Sequence, residues 1–336
     1  MKNVVLFAVA LVASLFMAEA AMRVAGFAPR TPRVNPFFVP GSETTWSVPD
    51  PELGWINKEG VSRAIEGDHV DMTFWSFGRR ATRPDATPPA GAQRKVMFIG
   101  GSNLQSYGVK DEESFPYLLG LRYPDMAFEN FGSGGYSTVQ AKLLAERALE
   151  KFYGADKPTL MLLAFDDAHI LRNVSDQSWV YSISDAEGRY VAPPHYRLQD
   201  GNLTFHPFRT IGFWPLERQS AALTVLHNVW LQSVLYNSSQ EAVPVTREVV
   251  SEIAALAKSK GIAFAAVILD DRGQTAKQVF EGQPFPWHDC SGLERSAPQE
   301  YMLKEGSHPN PKLHAHLAMC IGDWLDAEIL PGLAPG

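Results

Sequence analysis

The chain has 336 residues, 45% of them apolar and 20% charged, enough to bury one large core or one core with an appended region. Its formal net charge of -7 leaves no broad basic field, which excludes nucleic acid as an expected partner. It carries no internal repeat and no long low-complexity run.

Lys2 is followed by an uncharged run, residues 4–18, apolar except for Ser14, and then by Glu19 and Ala20. One basic residue, an apolar stretch of about 15 and a small-residue end fit a cleavable signal peptide, and the run is shorter than the ~20 residues of a comfortable span. Continued through residues 20–27, the same segment reads equally as an uncleaved anchor. On either reading the body is exported to the periplasmic or extracellular side, and the membrane is a partner only if residues 1–27 are retained.

Residues 28–93 show no sustained period, and Trp46, Trp55, Phe74, Trp75 and Phe77 interrupt their prolines and glycines. Aromatic residues at that density predict a segment packed on the body, with a partly exposed platform for sugars as the alternative. Strand and helix then alternate. Residues 96–99, 127–131, 160–165 and 262–269 are apolar runs suited to parallel strands buried on both faces, with a short fifth near 285–290. Residues 115–121, 138–152 and 246–260 carry apolar residues at three- and four-residue spacing, and residues 311–326 make a closing helix. This alternation predicts an α/β doubly wound, flavodoxin-like three-layer sandwich of about five parallel strands over residues 94–330. A long insertion, about 168–245, follows the third strand and reads as a lid or binding surface rather than a connector. Within it His195 and His206 read as surface or structural residues rather than catalytic ones.

The run KVMFIGGSNLQSYG, residues 95–108, drives an apolar strand into Gly100 and Gly101, which turn without steric penalty. Ser102 is thereby left at the carboxyl edge of the sheet, where open α/β folds place ligands; an ordinary Gly-Gly-Ser turn is the alternative. A serine hydroxyl needs a base. KEGSHPN, residues 304–310, supplies His308 three residues after Glu305, so that Glu305 can orient the imidazole while its other nitrogen faces Ser102.

Together these stretches resemble the SGNH, or GDSL-type, hydrolase family. Four blocks carry the resemblance in the family's order: Gly100-Gly101-Ser102-Asn103, the NFGSGGYST stretch at 130–138, Phe165-Asp166-Asp167, and EGSHPN at 305–310. DPELGW, residues 50–55, resembles an upstream segment of membrane-tethered, polysaccharide-associated members. The resemblance implies a serine esterase with Ser102 as nucleophile, His308 as base and Glu305 as its orienting acid. It implies an oxyanion hole built on the amides of Ser102 and Gly135, no cofactor or metal, and a small ester or acylated polysaccharide as substrate. Acyl transfer to an envelope glycan, or carbohydrate binding without catalysis, are the other functions such a scaffold allows. Three positions depart from the pattern. Gly101 and Glu305 replace aspartates, and Asp166 falls where the family carries an asparagine that helps bind the oxyanion. An ionised carboxylate there would repel the developing charge, whereas a buried one, or one close to Asp167, has a raised pKa and could donate a proton.

Cys290 and Cys320 are the only cysteines. In an exported chain they are expected to pair and to hold the His308 loop to the sheet, with two separate buried thiols as the alternative. Neither has neighbours at metal-ligand spacing, and His314 and His316, two apart on a helical run, point different ways.

Overall fold

Apolar strands and the helices between them build one eight-stranded sheet with helices on both faces, in a computed structural model that describes residues 2–31, 46–64, 69–89, 92–234, 239–304 and 308–333. The chain opens with α1 (Lys2–Val24), a helix with no buried residue. β1 (Ser47–Asp50) and β2 (Gly54–Asn57) pair with each other, and β3 (Gly60–Arg63), β4 (Asp71–Trp75) and β5 (Arg79–Arg80) join the main sheet. The body continues through β6 (Arg94–Gly100), α2 (Ser102–Gln105), α3 (Phe115–Arg122), β7 (Met126–Asn130), α4 (Thr138–Ala148) and β8 (Leu160–Asp166). The insertion contributes α5 (Ala168–Asn173), α6 (Gln177–Ser182), β9 (Tyr190–Ala192), β10 (His195–Gln199), β11 (Asn202–His206), β12 (Arg209–Ile211) and α7 (Ala221–Val234). Then follow α8 (Ser239–Ser259), β13 (Ala263–Asp270), α9 (Ala276–Phe280), β14 (Trp287–Asp289), α10 (Leu293–Ser296), α11 (Pro298–Tyr301) and α12 (Pro311–Trp324).

The strand order is β14-β13-β8-β6-β7-β5-β4-β3. The first five are parallel, and among themselves they follow the flavodoxin-like order. Side chains alternate across this sheet with the two-residue period of a strand. Met97, Ile99, Met161, Leu163 and Phe165 face a core shared with α4 and α8, whereas Val96, Phe98, Leu160, Leu162 and Ala164 face one shared with α3 and α12. Continuous apolar strands are what a sheet covered on both faces requires.

Two stretches differ from the sequence-based expectation. Residues 60–63 and 71–80 are not irregular: β5 pairs antiparallel with β7, β4 with β5 and β3 with β4, extending the sheet, and Met72 and Phe74 turn inward from β4. These strands have four, five and two residues, too short for a period to register. Helix α8 starts at Ser239 rather than 246 and holds Pro244 inside it, a residue that from sequence reads as a boundary. The insertion is itself folded, with β9 paired to β12 and β10 to β11, both antiparallel; His195 is buried there, stacked on His206.

Cys290, just after β14, and Cys320, on α12, form a disulfide across a 30-residue separation that contains His308. Cross-linking shrinks the unfolded ensemble, so replacing both cysteines by alanine should lower unfolding free energy by about 2–4 kcal/mol. Urea unfolding of the double variant beside the oxidised protein measures this, and an unchanged midpoint would refute it.

Candidate active site

Steric crowding forces the glycines at the end of β6. A Cβ on Gly100 would lie 2.4 Å from the Ala164 carbonyl oxygen of the neighbouring strand, and one on Gly101 would lie 2.6 Å from Nε2 of His169. The chain therefore turns tightly, Gly101 caps α2, and half-buried Ser102 is the first residue of that helix. The turn lies between β6 and β8, where the chain, having gone from β6 outward to β7, returns on the other side; this switch point is the natural ligand crevice of an open α/β sheet.

The loop after β7 packs against the same short helix. A Cβ on Gly132 would lie 2.5 Å from the backbone nitrogen of Gln105, so this strand end and α2 touch through bare backbone. Asn57 locks them together: its amide nitrogen donates to the carbonyls of Gly78 and Gly132, each at 2.8 Å, and its oxygen accepts from Gln105 at 2.7 Å and Ser133 at 3.0 Å. Gly135, at a φ of +75°, follows in this loop, backed by the indoles of Trp55 and Trp179. Trp55 donates through Nε1 to the Gly134 carbonyl at 2.8 Å, and the Arg172 guanidinium lies 4.4 Å from the centre of a Trp179 ring. The DPELGW turn is seated from behind by Arg147, which grips both carboxylate oxygens of Asp50 at 2.7 and 3.0 Å. Replacing Asn57 by alanine strands buried donors and acceptors on three segments at once. It should cost on the order of 3 kcal/mol of stability, measured by denaturant unfolding; a loss below experimental error would show that the amide is not the clasp.

Asp166 ends β8 directly beside this turn. Its Oδ1 accepts a 2.9 Å hydrogen bond from the Asn103 amide, and its Oδ2 lies 3.7 Å from His169 Nε2. Burial, reinforced by the nearby charge of Asp270, pushes the Asp166 carboxyl up to about 8, against the pull of the Asn103 hydrogen bond. Burial also raises Asp270 to about 6. His169 is held far below the ordinary imidazole range by burial, and its Nδ1 accepts from the Asp166 backbone N–H at 3.3 Å. A carboxyl raised in this way keeps its proton to higher pH than a free aspartate, and in the protonated form it can donate a hydrogen bond.

His308 approaches from the C-terminal loop. Its backbone oxygen accepts from Leu303 at 2.9 Å, Met302 bridges Pro309, and Asn310 caps α12 by accepting from Lys312 and Leu313. The imidazole stands against the Tyr107 ring with centroids 5.1 Å apart, and the Tyr107 N–H donates to the Ser102 carbonyl at 3.3 Å. Tyr107 thus touches both residues, Ser102 through its backbone N–H and His308 through its ring. Glu305 lies outside the described residues.

Sequence reasoning did not reach Asn57, Tyr107, His169, Arg172 or Asp270 as members of this edge. One signal was available: parallel strands end here in polar residues, and Asp270 is the register partner of Asp166. Elsewhere His288 lies with Cys290 and Cys320, but both sulfurs are committed to the disulfide.

Fold and edge together define an α/β protein with a flavodoxin-like parallel sheet and a serine at its switch point. No family model matches the chain, and no curated protein matches it. It is structurally similar to the psychrotrophic esterase EstA from Pseudoalteromonas sp., at 13% identity and a TM-score of 0.39 over 69% of this chain and 99% of that one. It is also similar to a member of the lipolytic protein G-D-S-L family from Veillonella parvula, at 14% identity and a TM-score of 0.32, covering 70% and 99%. A third similar structure is a catalytic mutant of Axe2, an acetylxylan esterase from Geobacillus stearothermophilus, at 11% identity and a TM-score of 0.35, covering 69% and 93%.

Proposed function

We propose that this chain is an exported serine esterase of SGNH type. The observation that carries the proposal is the seat of Ser102: first residue of a short helix at the switch point, followed by Asn103, which bonds Asp166, and joined through its carbonyl to Tyr107, whose ring His308 contacts. Ser102 Oγ attacks the ester carbonyl carbon while His308 takes its proton. The oxyanion is held by the backbone N–H groups of Ser102 and Gly135 and by the proton of Asp166. His308 then protonates the departing alkoxide, leaving an acyl group on Ser102. Water, deprotonated by His308, attacks that acyl group; the carboxylic acid leaves and the proton returns to Ser102. Glu305 orients His308 in this scheme, as its spacing suggests.

For the substrate we propose a small acyl ester on a sugar. The support is the half-buried Trp179, whose six-membered ring lies beside Gly135 and on which a sugar ring could stack. The test is incubation of the protein with p-nitrophenyl acetate and with a serine-directed phosphonate. Release of nitrophenol and one phosphonate on Ser102 are expected, and absence of both would overturn the reading. Repeating the assay with an added glycan separates hydrolysis from transfer, since transfer would lower free acetate and acetylate the glycan.

A further inference from the structure

Helix α7 is built the wrong way round for a protein surface in water. Its 14 residues include no Asp, Glu, Lys or Arg. The polar groups in its middle face inward, although Gln232 and Ser233 near its end are exposed: buried His227 meets Glu217 at 2.6 Å, Glu217 pairs with Arg30 at 2.7 Å, and Arg30 also donates to Asn228. Its apolar side faces outward, with Leu226 56%, Val229 58% and Trp230 42% exposed at the three- and four-residue spacing of one helix face. Leu216, just before it, is 69% exposed and holds a left-handed φ of 64°, a conformation a leucine adopts only under constraint.

This helix is bolted to α1. The Glu19 carboxylate accepts from the backbone of Ala221 and Ala222 at 3.0 Å and from the Ser220 hydroxyl at 2.7 Å, so it closes the first turn of α7. Arg23 adds a 2.9 Å hydrogen bond to the Gln219 carbonyl. α1 itself is long and apolar enough to cross a membrane, with a mean hydropathy of 2.3 over an 18-residue window. From Lys2 to Glu19 the helix rises about 25 Å, close to the ~30 Å hydrocarbon thickness. The start of α7 is thus held at the depth where hydrocarbon gives way to headgroups.

We propose that α7 lies on the bilayer beside α1, with Leu226, Val229 and Trp230 immersed in lipid and Glu19 as the joint. The proposal rests on α1 being a retained anchor rather than a cleaved leader, and the joint itself favours retention: cleavage after Ala20 would carry Glu19 away and leave the amides of Ala221 and Ala222 uncapped. A bilayer is the occupant because the stripe continues from the one element of the fold that lipid would surround. Inward polar groups paired with each other and outward apolar ones are the arrangement lipid imposes.

The test uses the full chain in phosphatidylcholine and phosphatidylglycerol vesicles carrying nitroxide acyl chains. Both native cysteines are oxidised, so a fluorophore can be placed singly through Leu226→Cys, Val12→Cys or Leu121→Cys; Val12 lies on α1 and Leu121 is exposed on the body. Quenching by lipid is expected at 12 and 226, several-fold stronger than at 121, and Glu19→Ala should weaken it at 226 alone. Quenching at 12 with none at 226 would overturn the platform and leave the anchor standing. No quenching at either position would bring down both. A probe at 226 shielded from water yet unquenched by lipid would mean a protein partner, and would also overturn the proposal.

Discussion

Ser102→Ala should lower the rate of p-nitrophenyl acetate hydrolysis by about 10,000-fold or more and abolish phosphonate labelling. The size follows from the role: without the hydroxyl no acyl-enzyme forms, and only whatever the oxyanion donors give to a direct attack by water remains. His308→Ala should fall about as far, and the double variant no further, because a nucleophile and its base act as one unit. The hydroxyl is half-buried at a turn whose fold depends on Gly100 and Gly101, so alanine should leave circular dichroism and the Cys290–Cys320 bond intact. Labelling that persists in Ser102→Ala would place the nucleophile elsewhere. A wild-type protein that binds glycans but neither hydrolyses nor labels would make this a carbohydrate-binding protein on a hydrolase scaffold.

Asp166 should set the alkaline limit of that activity. Its carboxyl, pushed up to about 8 by burial, donates below that pH and becomes a repelling charge above it. Wild-type rate should therefore fall as pH rises through about 8, and Asp166→Asn, whose oxygen can keep the Asn103 hydrogen bond while its amide donates at every pH, should remove that fall without lowering the rate at pH 7. Asp166→Ala should cost roughly 100-fold to 1000-fold at pH 7, the loss of one oxyanion donor. Stability moves in the same direction. A folded-state pKa above the unfolded value means the native state binds the extra proton, so this group's contribution is full below about 4 and is lost as pH rises through about 8, on the order of several kcal/mol. In Asp166→Asn that slope should vanish. A wild-type pH profile flat through pH 9, or an Asn variant as impaired as the alanine one, would remove Asp166 from the oxyanion site.

The sheet was legible in the chain because its strands are continuous apolar runs. A strand buried on both faces needs no partner to declare itself, and residues 96–99, 160–165 and 262–269 lie within β6, β8 and β13 save for one residue, Ile262. β3, β4 and β5 were illegible for the opposite reason, being brief strands whose register each takes from its neighbour in the sheet. Ser102 could be singled out because two glycines before it mark an abrupt turn. Asn57, His169 and Tyr107 carry no such mark, and they matter through what tertiary packing lays against them.

Taken alone, the amino-acid order determined the alternation of strand and helix and the turn that exposes Ser102, since each depends on neighbours a few residues apart, and it supplied two cysteines available to bond. Only the tertiary structure decided that Asp166 is buried near Asp270, which raises its pKa, and that Glu19 closes the first turn of α7. Both depend on which groups share a space from which water is excluded, and that is a property of distances across the fold.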